Sequence, residues 1–95
     1  MKRMDKAIKE VEDELHGACK YAENYLFFAN THPEWAKTYH QMATEELNHA
    51  ENMYNIGTAM SQELKWVSDE DQKNWNDLST KLAEKTAWIR LMLSK

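Results

Sequence analysis

An all-α fold, a helical hairpin followed by a third helix, is what this sequence predicts, and three observations predict it. Apolar residues recur at steps of three and four through three long stretches, the period of one face of an α-helix. Only two glycines and one proline occur in 95 residues, so few positions favour the tight turns of a strand-rich fold. The lone proline, Pro33, follows Asn30-Thr31-His32, where it stops one periodic stretch and opens the next. The length suits a single domain over residues 1–95, with 42% hydrophobic and 29% charged residues, a balance that supports a packed core.

The first helix is expected from about Asp5 to Ala29, with Ile8, Val11, Leu15, Ala18, Ala22, Tyr25, Leu26 and Ala29 at helical spacing. Thr31 or His32 then falls near an N-cap, with Glu34 favourably placed at the positive end of the next helix. So short a connection makes the first two helices an antiparallel hairpin, residues 5–60. The second helix is expected from about Pro33 to Met60 or a little beyond. One of its stripes reads Trp35, Tyr39, Met42, Glu46, His49, Met53, Ile56, Met60, in alternating steps of four and three. Gly57 marks a bend or a loss of helix stability near its end. A linker is expected around Leu64 to Ser68. Ser68-Asp69-Glu70-Asp71 has the capping-box pattern, and a third helix follows over residues 69–94, with Trp75, Leu78, Leu82, Thr86, Ile89 and Leu93 on one stripe. Trp88, Leu91 and Met92 widen its apolar surface, as for a helix with more than one neighbour.

The charge of −4 and pI near 5.5, with no dominant basic patch, argue against a nucleic-acid partner. The single cysteine, Cys19, forms no intrachain disulfide and suits a reducing, cytoplasmic setting. The N-terminal residues have no apolar run of the signal-peptide kind, and no stretch reaches the roughly 20 apolar residues of a membrane span. A chain this short buries a modest fraction of its surface, so self-association is expected to supply buried area.

Two positions break the apolar stripe of the second helix. Glu46 and His49 lie in a seam where an ionisable group is costly unless paired or bound to a metal. Three residues apart, they share a helix face, and carboxylate with imidazole suits iron, manganese or zinc. On the first helix the stripe Val11, Glu14, Ala18, Tyr21, Tyr25, Phe28 is broken only by Glu14. Folding the hairpin about residues 31–32 sets position 14 opposite 48–49. One chain thereby offers Glu14, Glu46 and His49 at one level.

These residues carry a resemblance. Glu45-Glu46-Leu47-Asn48-His49-Ala50-Glu51 resembles the Glu-x-x-His helix of ferritins, bacterioferritins and rubrerythrins. Glu14 precedes Glu46 by 32 residues and Tyr21 follows Glu14 by one heptad, both as in that superfamily. The resemblance covers roughly residues 8–60 and does not extend to the third helix. It implies half of a ferritin-like four-helix bundle and a di-iron carboxylate site with Glu14, Glu46 and His49 as ligands. It further implies Tyr21 as a hydrogen-bonding or electron-donating group beside them, and ferroxidase chemistry. The full bundle has two glutamate-bearing and two Glu-x-x-His helices. This chain has one of each, and Glu84-Lys85-Thr86-Ala87 lacks the second histidine. A homodimer, or a higher oligomer, is therefore expected to complete the bundle and the site, as in the encapsulated ferritins. Those proteins carry a C-terminal tail that docks them in a shell, whereas Trp88–Lys95 reads as helix.

Other residues invite plainer readings. The Met and aromatic stripe reads as core. His16, His32 and His40 read as solvated or local capping groups, and Glu12, which shares a face with His16, and Glu23 read as solvated. Glu45 is placed either to orient His49 or to face solvent. Cys19 reads as a small buried apolar group. The alternative to an iron-handling protein is a non-enzymatic helical assembly module in which the three residues form a vestigial or structural metal site.

Overall fold

The computed structural model describes residues 2–64 and 68–95 and contains three helices, α1 (Lys2–Phe28), α2 (Pro33–Leu64) and α3 (Asp69–Leu93). The described residues are all-α, arranged as a rod 52 × 17 × 16 Å in extent. α1 begins three residues before the sequence suggests and α2 runs to Leu64, because nothing at those ends breaks a helix. Of the expected linker, residues 65–67 lie outside the described residues.

The hairpin turn follows the local chemistry. α1 closes on Phe28, whose carbonyl accepts from the N–H groups of Thr31 (3.1 Å) and His32 (2.8 Å). The His32 carbonyl accepts from the Ala36 N–H at 3.0 Å, so His32 is the residue from which α2 starts, with Pro33 in the first turn where no N–H is missed. His32 also stacks on Trp35, with ring centroids 4.0 Å apart.

α1 and α2 form the main interface. Val11, Leu15, Ala18 and Ala22 face Ala43, Leu47 and Ala50, all buried. Five of these seven are alanine or valine, and such small side chains let two helix backbones approach closely along the hairpin.

α3 lies along one side of the hairpin. Ser68 caps it, its Oγ accepting from the Asp71 N–H at 3.0 Å. Trp75 is the anchor, 2% exposed, stacked on Tyr54 at 5.0 Å between centroids and donating from Nε1 to Thr58 Oγ1 at 2.9 Å. Its indole occupies the space beside Gly57 that any β-carbon would fill, so this glycine is a packing requirement and α2 passes through it as unbroken helix. Leu78, Ile89 and Met92 complete the buried side of α3. At the surface Lys81 Nζ donates to Glu12 Oε2 at 2.7 Å. At the far end His40 Nε2 donates to the Leu93 carbonyl at 3.1 Å, satisfying one of the free carbonyls of the last turn. Trp88 and Leu91, expected to widen the packing face of α3, are instead about half exposed.

The side of the hairpin away from α3 is left uncovered. The α2 stripe from Trp35 to Met60 runs along it. So does an α1 row comprising Ala7, Glu10, Glu14, Gly17, Tyr21 and Phe28, every member partly exposed.

Candidate metal centre

Near the middle of that uncovered side, the structure brings Glu14, Glu46 and His49 together as the sequence suggests. One ligand atom from each lies within 4.8 Å of the other two. His49 Nδ1 is 3.6 Å from Glu14 Oε2 and 3.7 Å from Glu46 Oε1. The carboxylates are largely covered, with side chains 21% and 26% exposed, whereas the imidazole is 54% exposed on the open side. The cluster is thus rooted in the hairpin and open outward.

Gly17 explains how both acids fit. A β-carbon there would come within 3.2 Å of Glu46 Oε2, tighter than ordinary van der Waals contact. The absent side chain leaves the α2 carboxylate lying over the α1 backbone, one turn beyond Glu14.

The electrostatics of the cluster are those of a site short of positive charge. The Glu46 carboxyl is pushed up to about 7, first by a hydrogen bond shared with the Glu14 carboxyl, then by burial and by the Glu14 charge, with His49 opposing. Glu14 Oε2 is shielded from solvent and accepts no hydrogen bond from any N–H or hydroxyl among the described residues. Two groups can satisfy it: a proton held between the two carboxyls, or a cation. A divalent ion would neutralise both acids at once, and the mixed oxygen and nitrogen donors fit iron, manganese or zinc.

The remaining candidates fall around this centre. Tyr21 lies on the same side two turns from Glu14, its ring 6.2 Å from that of Tyr39. Tyr39 in turn stacks on Phe28 at 5.9 Å, and Phe28 meets Trp35 edge-on at 5.4 Å, so the turn end of the open side is aromatic. Glu45 does not orient His49; it accepts from Gln41 Nε2 at 3.2 Å. Glu12 pairs with Lys81. Cys19 is half-buried rather than buried, and its Sγ donates to Glu23 Oε1 at 3.3 Å. Burial, that hydrogen bond and the Glu23 charge all raise its pKa, which keeps it a thiol and a poor nucleophile.

The fold and site together define a three-helix protein with a carboxylate–histidine cluster on the open side of its hairpin. Comparison with protein-family models, curated proteins and solved structures finds no match to this chain. No described helix is long and apolar enough to cross a membrane.

Proposed function

We propose that this chain is a metal-binding protein of ferritin-like type, in which two copies bring their Glu14, Glu46 and His49 groups together as a dinuclear carboxylate centre. The observation that carries the reading is the convergence of three donor atoms within 4.8 Å, one of them a solvent-shielded carboxylate oxygen with no N–H or hydroxyl donor. Doubling the set gives four carboxylates and two imidazoles. Their four negative charges would balance two divalent ions held by the paired glutamates and histidines.

The activity that follows from the resemblance is Fe(II) oxidation. Two Fe(II) ions give one electron each to dioxygen, which takes up two protons and leaves as hydrogen peroxide; with peroxide as oxidant the same two electrons yield water. The chain's own part is to hold the ions at fixed separation, with His49 as a neutral nitrogen ligand and Glu14 and Glu46 as anionic ones. Tyr21, on the same side two turns along α1, is the phenol to which the resemblance gives the role of donating a hydrogen bond or an electron toward the centre. Manganese or zinc fits the same donors without that oxidation.

Stopped-flow absorbance of anaerobic protein loaded with Fe(II) and mixed with oxygen tests the proposal. Oxidation much faster than the buffer rate, lost in Glu46→Ala, is expected. A Glu46→Ala protein that binds two irons per dimer with wild-type affinity contradicts the assignment. The exposed Trp88 and Leu91 favour a second reading, a helical assembly module with a structural or vestigial site. On that reading, removing metal leaves oligomeric state and melting temperature unchanged.

A further inference from the structure

The methionines of the described residues divide by place. Met4 and Met92 are buried in the core. Met42, Met53 and Met60 are partly exposed, and all three lie on the α2 stripe that carries Glu46 and His49. Met42 precedes Glu46 by four residues and Met53 follows His49 by four, so each of these two thioethers stands one helical turn from the cluster. Met60 lies seven residues beyond Met53, roughly 10 Å farther along α2.

A recess sets Met53 apart from Met42. Its volume is about 330 Å³, and it is lined on α1 by Lys6, Ala7 and Glu10 and on α2 by Met53, Gly57 and Met60. It begins where the cluster ends. Glu10 lies one turn before Glu14 on α1, and Met53 lies one turn after His49 on α2. Lys6 Nζ and Glu10 Oε1, 4.0 Å apart and well exposed, put a hydrogen-bond donor and an acceptor at the rim. Thioethers within and a polar pair at the mouth suit a small, uncharged, hydrogen-bonding molecule, and hydrogen peroxide is one. Met42 does not line this recess. The contacts of Glu14 with His49 and of the Gly17 position with Glu46 continue along the hairpin to set Met42 at the level of Tyr21. Met42 therefore has nearness to the cluster without the recess, Met60 has the recess without the nearness, and Met53 has both.

We infer that Met53 is a sulfoxidation site, oxidised by peroxide that forms at the Glu14, Glu46 and His49 centre and enters the adjoining recess. The inference rests on the reading of that cluster as an Fe(II)-oxidising centre, which supplies the peroxide from dioxygen. The Met53 sulfur attacks one peroxide oxygen with a lone pair. A sulfur–oxygen bond forms as the oxygen–oxygen bond breaks, and the second oxygen leaves as water with both protons. Sulfur loses two electrons and peroxide gains them, so no further oxidant is needed. Free peroxide reacts slowly with thioethers. Peroxide released into the recess meets Met53 at a high effective concentration, whereas peroxide that escapes is diluted. The sulfoxide is polar and chiral where the thioether packs against the core, and reductases specific for each epimer restore it. Met53 thereby becomes a reversible record of the peroxide made one turn away.

Fragment-ion mass spectrometry of the full chain tests the inference by counting the gain of one oxygen atom at each methionine. Anaerobic protein is loaded with Fe(II) and mixed with oxygen, with catalase present throughout to destroy escaped peroxide. A parallel sample, metal-free in chelator, receives hydrogen peroxide without catalase. In the iron sample, sulfoxide at Met53 is expected to exceed that at Met42 and at Met60 by at least about tenfold. In the peroxide sample the three residues are expected to agree within about threefold, following their similar partial exposure. A preference for Met53 that is as large with added peroxide overturns the inference, because exposure alone then accounts for it. Iron that binds and is oxidised while sulfoxide spreads evenly over the three methionines, or is absent, overturns the inference and leaves the metal reading standing. Protein that retains no iron overturns both, and the metal content of the same sample shows which has failed.

Discussion

Replacing Glu46 with glutamine separates what the acid costs the metal-free fold from what it gives the metal-loaded one. In the folded chain the Glu46 carboxyl is pushed up to about 7, with the shared hydrogen bond to Glu14 as the largest cause. In the unfolded chain it ionises near its ordinary value, about 4.3. Below about pH 4 both states hold the proton and the group contributes nothing. Between about pH 4.5 and 7 the unfolded chain has released the proton and the folded chain has not, so stability falls as pH rises, and the deficit is complete above about pH 7. A displacement from about 4.3 to about 7 corresponds to about 4 kcal/mol without screening; the side chain is 26% exposed, and solvent screening reduces it to about 1–2 kcal/mol. Glutamine keeps the shape, carries no charge, and its amide donates to the unsatisfied Glu14 oxygen. Urea unfolding followed by circular dichroism in chelator, at pH 5 and pH 8, is the assay. Wild type is expected to lose about 1 kcal/mol relative to Glu46→Gln between these pH values, about two thirds of the full deficit, leaving the variant the more stable at pH 8. Adding a divalent ion at 100 times its Kd raises wild type by about 2.7 kcal/mol and reverses the order. A variant less stable than wild type at pH 8 in chelator refutes the reasoning.

Three further outcomes follow from the packing. Gly57→Ala forces a methyl group into the Trp75 indole and is expected to destabilise by about 1–3 kcal/mol despite alanine's better helix propensity, read as a lower urea midpoint. Ser68→Ala removes the cap that receives the Asp71 N–H and is expected to cost about 1 kcal/mol, a fall in Tm of about 4–8 °C by calorimetry. Lys81→Met breaks the ion pair with Glu12, whose side chains are 52% and 41% exposed, and is expected to change stability by no more than about 1 kcal/mol in a thermal melt, any loss shrinking as salt is added.

The sequence carried the hairpin and the level of its polar cluster because both depend on near neighbours. Pro33 and the residues before it set the turn, and 3.6-residue periodicity then placed Glu14 across from Glu46 and His49, as the 3.6 and 3.7 Å separations bear out. Contacts that depend on how α3 lies against the hairpin were not legible. Gly57 read as a weakness because nothing local shows the Trp75 ring that fills its place. His40 read as a local or solvated group, yet its partner carbonyl belongs to Leu93, 53 residues away. Glu12 read as solvated because Lys81 comes from a different helix. Gly17 was overlooked beside the cluster; its place three residues after Glu14, on the same row, was the available signal.

The most direct test of the central claim is the metal content of the gel-filtered oligomer, measured by elemental analysis after loading with Fe(II) and removing unbound ion, for wild type and for His49→Ala. The account predicts one ion per chain, two per dimer, in wild type, and a large loss of bound metal in the variant. A wild-type protein that retains no metal, or a His49→Ala protein that retains the full complement, contradicts it.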